Sequence, residues 1–368
     1  MNQTTRPTYS SRKNKVGRII NYVQAINEAT MVAMDSDPHM ICFGLGIDDP
    51  KRIFGTTAQL REKYGANRVF DTPTSEAAMT GIGIGASLGG LRCLTTHQRL
   101  DFFLLAMDQL VNNAAKWQYM FGGQSSPVRM VIRLILGRGW GQGPTHSQNL
   151  QAWFAHIPGL KVVMPSTPED AKGLLLSSLF DNNPVLFLEH RWLHNAQGEV
   201  EPGDFRIPLG KAKKVREGKD LSIVSMSYMT IEAIKAASEL EKLGIDTEII
   251  DLRTISPIDW QLIFDSVRKT GRLMVLDTSH GFCSVSSEIV SKVARHCFDA
   301  LKKAPIQICL PDFPCPTAPS LTKNYYPTHQ EIIEQSMDIL GKTKMNKQFV
   351  AEKVGPHDVP GFWFKGPF

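Results

Sequence analysis

The sequence lacks the motifs by which several common classes of protein bind membranes, nucleotides or metals. No apolar run reaches the roughly 18 residues that span a bilayer. No GxxxxGK[ST] P-loop is present, and GIGIGASLGG contains no GxGxxG frame. The six cysteines are scattered without a CxxC pair, and no HExxH or EF-hand pattern occurs. These absences argue against a membrane protein, a nucleotide-binding motif, a disulfide framework and a protein-only metal centre.

Charge identifies no partner. The net charge is +5 over 368 residues, and no basic stripe is interleaved with aromatic residues, so we expect no nucleic-acid partner. Residues 1–15 are basic and rich in hydroxyls but lack the Leu and Ala of an amphipathic targeting helix, which predicts a disordered tail. The unpaired cysteines and the lack of a secretory signal predict a cytoplasmic protein.

Strand-like and helical patterns alternate along most of the chain. Apolar runs such as MICFGLGI, PVRMVIRL and PVLFLEH are separated by helical segments from residue 16 to 195. Such runs are typical of a parallel sheet covered on both faces. The alternation resumes at 219–342 with LSIVSM, DTEIIDLR and RLMVLDT. The predicted fold class is therefore α/β, with two doubly wound domains.

Two further segments have a different composition. Residues 196–218 are rich in Gly, Pro and charge, which predicts a linker between the domains. Residues 343–368 form a C-terminal extension with four aromatics in the last seven positions. Because an apolar segment of this kind usually packs on something, we expect the extension to contact its own domain or a partner.

Two polar residues are candidates for chemistry, each with a plainer alternative. The stretch GRGWGQGPTHSQN presents His146 after four alternating glycines, which fits either an active-site loop or an ordinary loop histidine. Glu76 follows a predicted helix start at Thr72 and Pro73, which fits a buried proton-sharing acid or a helix-terminal charge. Asp181 to Asn183 read as a turn, although their oxygens could also bind a cation.

Four long blocks carry a resemblance to a known family: RVFDTPTSEAAMTGIGIGASLGGLR, DFFLLAMDQLVNNAAKWQYMFGGQ, THSQNLQAWFAHIPGLKVVMPSTPEDAKGLLLSSLFDNNPV and IIDLRTISPID. Across residues 16–342 the chain resembles the beta subunit of thiamine-diphosphate-dependent 2-oxo acid dehydrogenases. This resemblance implies a transketolase-like pyrimidine-binding domain followed by a transketolase-like C-terminal domain. It also implies an α2β2 heterotetramer with an alpha subunit, including a beta–beta contact.

The resemblance implies roles for individual residues. Glu76 matches the glutamate that hydrogen-bonds the aminopyrimidine ring of the coenzyme, and Phe102 matches the aromatic that stacks on this ring. Thr74 and Gln98 match positions that line the ring, and His146 matches the histidine at the mouth of the site. A structural potassium ion is implied at positions matching Met130, Ser178, Leu179, Asp181 and Asn183.

The family's GDG motif with paired asparagines, which binds the magnesium diphosphate end, is absent from the sequence. The chain is therefore expected to supply half of a coenzyme site and to be inactive without an alpha subunit. The expected reaction is decarboxylation of a pyruvate-like 2-oxo acid and acyl transfer to a lipoyl acceptor. A lipoyl acyltransferase is therefore an expected further partner. The alternative is a carboligase of the transketolase or acyloin-synthase type acting on a sugar or aldehyde.

The sequence departs from the family at several positions. Leu45 replaces an acid of a carboxylate relay between active sites, which puts communication between the sites in doubt. On the substrate side the chain carries four cationic or hydrogen-bonding side chains, which suit a polar or anionic substrate unless they point elsewhere. These are His97, Arg99, Arg138 and Trp140.

Overall fold

A computed structural model of the chain describes residues 17–137, 141–342, 359–360 and 364. The strands are β1 (Arg18–Asn21), β2 (Met40–Gly44), β3 (Val69–Asp71), β4 (Arg92–His97), β5 (Met130–Leu136), β6 (Lys161–Val163), β7 (Val185–His190), β8 (Gln197–Val200), β9 (Lys213–Arg216), β10 (Leu221–Ser225), β11 (Thr247–Asp251), β12 (Thr254–Ser256), β13 (Leu273–His280) and β14 (Ile306–Leu310). The helices are α1 (Tyr22–Ser36), α2 (Leu60–Tyr64), α3 (Glu76–Leu88), α4 (Leu100–Phe103), α5 (Trp117–Met120), α6 (Gln151–Ala155), α7 (Pro168–Leu179), α8 (Met229–Lys242), α9 (Trp260–Thr270), α10 (Val285–His296) and α11 (His329–Ile339). None of these helices is long and apolar enough to cross a membrane.

The first domain is built on a seven-stranded sheet with the order β12-β6-β7-β5-β4-β2-β3. Strands β2 to β7 run parallel to their neighbours, and β12 joins the edge antiparallel to β6. The central strand β5, MVIRLIL, is buried at every position. A parallel strand with helices on both faces needs this continuous burial, and the apolar run in the sequence reflects it.

Local sequence signals begin the helices that cover this sheet. Asn21 and Gln24 form a capping box at the start of α1. Thr167 accepts a hydrogen bond from the Asp170 amide at the start of α7, and Pro168 occupies its first turn. The two helices pack against each other in one hydrophobic core.

The second domain is built on a five-stranded sheet with the order β14-β13-β10-β11-β9. Strands β10, β11, β13 and β14 are parallel, whereas β9 is antiparallel to β11. Each domain thus has a mainly parallel sheet with its helices between successive strands. The predicted α/β class with two doubly wound domains is confirmed.

The segment predicted as a linker, 196–218, contains two strands that belong to sheets. β8 pairs antiparallel with β1, and β9 forms the edge of the second sheet. β12, from the second half of the chain, extends the first sheet. One strand of the second half therefore belongs to the sheet of the first domain, and the exact domain boundaries stay a prediction.

The termini are only partly described. The predicted disordered tail, 1–15, and most of the extension, 343–368, lie outside the described residues. Within the extension, Pro360 is buried, and the Phe364 ring lies 5.2 Å from the guanidinium of Arg191. The same guanidinium lies 4.2 Å from the Phe54 ring, so this part of the extension contacts the first domain.

A charged pair lies inside the first sheet. Arg133 of β5 and Glu189 of β7 are both buried, and Arg133 Nη2 donates to Glu189 Oε2 at 2.9 Å. Burial acts to raise the pKa of Glu189, but the Arg133 guanidinium and the His194 ring outweigh it and hold the pKa below its usual value. The carboxylate therefore stays charged and paired.

Removal of one partner from this pair should strongly destabilise the fold, because the other charge would remain buried without compensation. We expect Glu189→Ala to lower the free energy of unfolding by about 3 to 5 kcal/mol, measured by guanidinium chloride denaturation. The control is Glu239→Ala, which breaks the exposed Lys242 pair and should change stability by less than about 1 kcal/mol. Equal effects of the two changes would contradict this prediction.

Candidate active site

Residues of the predicted site meet where neighbouring parallel strands end. In the strand order β5-β4-β2-β3, the chain passes from β2 to β3 on one side of β2. It then returns to form β4 on the other side of β2 and continues to β5. Connections that leave β2 and β4 in opposite directions open a crevice at the carboxyl ends of the strands, where doubly wound proteins bind ligands. Glu76 follows β3, Gln98 follows β4 and His146 follows β5.

Glu76 is the first residue of α3 and is 5% exposed. Its carboxylate has no hydrogen-bond or ion-pair partner among the described residues. The partial positive charge at a helix N-terminus favours an acid here, and a buried acid without a partner can share a proton with a ligand nitrogen. Thr74 lies two residues earlier and is exposed.

Gln98 lies against the loop that follows β2. Its Nε2 donates to Asp49 Oδ2 at 3.2 Å. Gly46 has a φ of +78°, and a Cβ at this position would overlap the Gln98 amide. The positive φ favours a glycine at this position, and the absence of a side chain leaves room for the Gln98 amide beside it. The Gln98 amide group is held at the crevice between β2 and β4.

Phe102 and His146 contact each other across this edge. Phe102 is 42% exposed although its neighbours in α4 are buried. The two rings meet edge to face with centroids 5.1 Å apart, and His146 Nδ1 lies 2.9 Å from Thr145 Oγ1. The structure thus places an exposed aromatic face beside a histidine, which together can hold a flat ring and handle protons next to it.

Two of the residues predicted to contact substrate are buried. The His97 ring packs edge to face against Phe103. Arg99 Nη1 donates to the Gly137 carbonyl at 2.8 Å, and Nη2 donates to Gln142 Oε1. Arg138 and Trp140 lie outside the described residues. In this arrangement the hydrogen bonds of Arg99 are made to the glycine-rich loop.

Several of the positions implied for potassium take part in contacts among the described residues. The carbonyls of Leu179 and Asp181 both accept hydrogen bonds from the Arg92 guanidinium. The Asp181 carboxylate pairs with Lys161 and also accepts from Asn183, while Ser178 donates to a carbonyl of its own helix. Met130 is a buried residue of β5. The Arg92 guanidinium thus lies against two of these carbonyls, and a potassium ion at these positions stays a prediction.

A contact between the two domains was not predicted from the sequence. Gln151 Nε2 donates to Asp277 Oδ1 at 2.7 Å and lies 3.0 Å from Thr278 Oγ1. Gln151 is fully buried, five residues after His146. The only signal in the sequence is an amide in the otherwise apolar segment LQAWFA, and this signal does not identify the partner.

Comparison with protein families matches both domains. Residues 18–196 match the pyrimidine binding domain of transketolase, and residues 210–332 match the transketolase C-terminal domain. A solved structure of a split-gene transketolase, an inactive beta4 tetramer, has a TM-score of 0.71 at 20% identity, covering 88% of this chain and 99% of that chain. At this identity the structural likeness shows the fold alone.

Closer relatives are subunits of heteromeric enzymes. The beta subunit of acetoin:2,6-dichlorophenolindophenol oxidoreductase from Cupriavidus necator is 43% identical over 328 residues, covering 86% of this chain and 96% of the relative. The pyruvate dehydrogenase E1 beta subunit from Rhizobium meliloti is 41% identical, with coverage of 84% and 68%. The 2-oxoisovalerate dehydrogenase beta subunit from Bacillus subtilis is 37% identical, with coverage of 87% and 98%.

The two matched domains define a transketolase-like chain of the thiamine-diphosphate enzymes. Within this class, the chain belongs to the family of beta subunits of 2-oxo acid dehydrogenases and acetoin oxidoreductases. The family membership expected from the sequence is confirmed.

Three buried histidines near the carboxyl edge stay neutral. Burial lowers the pKa of His97 to about 4, that of His190 to about 3 and that of His194 to about 4, from an ordinary value of 6.5. When the pH falls below 6.5, the unfolded chain takes up protons that the folded chain excludes. Stability is therefore present above pH 6.5 and is lost as the pH falls toward 4.

We expect the free energy of unfolding to fall between pH 7 and pH 5, with His97 contributing about 2 kcal/mol of the loss. His97→Phe should remove this share, measured by urea denaturation at both pH values. The control is His39→Phe, because the His39 side chain is 75% exposed. An unchanged pH dependence in His97→Phe would contradict a neutral, buried His97.

Proposed function

We propose that this chain is the beta subunit of a heteromeric thiamine-diphosphate enzyme that decarboxylates a pyruvate-like 2-oxo acid and transfers the acyl unit to a lipoyl acceptor. The observation that carries the proposal is that the Phe102 and His146 rings are in contact at the sheet edge where Glu76, buried and without a partner among the described residues, follows β3. A buried carboxylate, an exposed aromatic face and a histidine complement the aminopyrimidine half of the coenzyme. The relatives, which are dehydrogenase and oxidoreductase beta subunits, support the same reaction class.

Each residue would have a distinct task. Glu76 would hold the proton that it shares with the pyrimidine ring nitrogen, since its carboxylate has no other partner among the described residues. Phe102 would stack on the ring, and Gln98 and Thr74 would border it. His146 would move protons at the mouth of the site. The coenzyme, when bound, supplies a thiazolium carbon acid that serves as the nucleophile.

The proposal requires an alpha subunit, which would bind the magnesium diphosphate end of the coenzyme. Two exposed apolar side chains on elements that follow β3 and β4 fit a partner here: Ile82 of α3 is 65% exposed and Leu105, just after α4, is 71% exposed. An α2β2 assembly with a beta–beta contact, a lipoyl acyltransferase partner and a cytoplasmic location stay predictions.

Carbon–carbon bond formation, the second function expected from the sequence, is not favoured. The relatives that share 37% to 43% identity are named as dehydrogenase or oxidoreductase subunits. The structural similarity to transketolase is at 20% identity and says nothing about the substrate. The acceptor is therefore proposed to be lipoyl.

Glu76→Gln should abolish the reaction because an amide cannot share a proton with the ring nitrogen. We expect a loss of at least about 100-fold in turnover by the complex of this chain with its alpha subunit. The assay follows coenzyme-dependent consumption of pyruvate, 2-oxoisovalerate or acetoin, with and without a lipoyl domain. The control is Glu241→Gln, an exposed acid of α8 paired with Arg216, which should leave turnover unchanged.

Two outcomes would contradict the proposal. Turnover unaffected by Glu76→Gln would assign the chain a non-catalytic role. Turnover that transfers the unit only to aldehydes or sugars, and never charges the lipoyl domain, would favour the carboligase.

A further inference from the structure

The loop that carries His146 is held at both ends by one short segment. Arg99, at the end of β4, donates to the Gly137 carbonyl and to the Gln142 side chain. Asp101, two residues later in α4, accepts hydrogen bonds from the Gln148 amide at 3.3 Å and from Gln148 Nε2 at 2.9 Å. The start and the end of the loop are thus bonded to side chains two positions apart.

These two charged side chains are buried and do not pair with each other. The two charges attract each other, but no direct ion pair joins them within the part of the chain that the structure describes. A buried charge is costly unless hydrogen bonds compensate it. The hydrogen bonds to the loop supply part of this compensation, although Asp101 Oδ2 has no hydrogen-bond partner among the described residues.

Phe102, the next residue, contacts the middle of the same loop. Its ring meets the His146 ring at 5.1 Å. On the other side, Gly143 has a φ of +74° and lies against Thr317 of the second domain, where a Cβ would overlap the threonine hydroxyl. The described part of the loop, from residue 141 on, is therefore confined between α4 and the second domain.

We propose that Arg99 and Asp101 are positioning residues, which hold the loop so that His146 lies over the Phe102 side of the site, and that Arg99 is not a substrate ligand. The hydrogen bonds that join Arg99 and Asp101 to the loop do not depend on the proposed function. The effect on the reaction rests on the proposed function.

Hydrogen–deuterium exchange tests the loop contacts without an activity assay. In Arg99→Met, which keeps the apolar stem but removes the donors, amides of residues 141–150 should exchange at least about tenfold faster, as expected for loss of charge-assisted hydrogen bonds. Asp101→Asn should have a smaller effect in the same peptides. The control is Arg268→Met, an exposed residue of α9, which should leave them unchanged. Unchanged exchange in Arg99→Met would overturn the proposal.

Kinetics of the complex with the alpha subunit test the consequence. Arg99→Met should lower kcat at least about tenfold while KM for the 2-oxo acid changes less than about twofold. In a His146→Ala background, Arg99→Met should have little further effect, because both changes act through the same side chain. Arg99→Lys keeps the charge but has all its donors on one nitrogen, so its kcat should lie between those of the wild type and Arg99→Met. It is the variant to measure if Arg99→Met does not fold.

The opposite results are distinct. A large rise in KM with unchanged kcat would make Arg99 a substrate ligand. An equal loss of kcat in the presence and absence of His146 would make it merely structural. If the wild-type complex has no activity, the proposed function fails, and the exchange experiment still decides whether Arg99 holds the loop.

Discussion

The site depends on one constraint: β3, β2, β4 and β5 are adjacent and parallel, so their carboxyl ends lie at one edge of the sheet. Both faces of such a sheet are covered by helices, which leaves this edge as the place where polar side chains can meet a ligand. Glu76 and His146 are 70 positions apart in the sequence, yet each follows the carboxyl end of a strand at this edge. The burial of β5 and the exposure of the Phe102 ring thus both follow from this parallel arrangement.

The second domain repeats this plan but uses its crevice differently. Here β11 lies on one side of β10, and the later strand β13 lies on the other side, so the crevice opens between β10 and β13. Asp277, near the carboxyl end of β13, accepts hydrogen bonds from Ser279, from the Ser286 amide and from Gln151 of the first domain. Burial raises the pKa of Asp277. The equivalent edge therefore forms a joint between the domains, and it fixes the helix that follows the His146 loop.

The fold was predictable because its signals are local. Continuous apolar strands and the helix starts at Asn21 and Thr167 appear directly in the sequence. The pairing of β8 with β1 and of β12 with β6 was not predictable, because short edge strands in Gly- and Pro-rich segments are determined by distant partners. Likewise, the residues alone left Glu76 and His146 open, and only the family resemblance assigned them roles. The direction of the Arg99 side chain, and the use of the Leu179 carbonyl by Arg92, depend on tertiary contacts that no spacing reveals.

We propose that this chain holds only the aminopyrimidine half of a coenzyme site. Calorimetric titration of thiamine diphosphate with magnesium into this chain alone, into its alpha subunit alone and into the complex of both tests this directly. We expect saturable binding by the complex, weaker binding when the complex carries Glu76→Gln, and none by this chain alone. Tight binding by the isolated chain would contradict the claim.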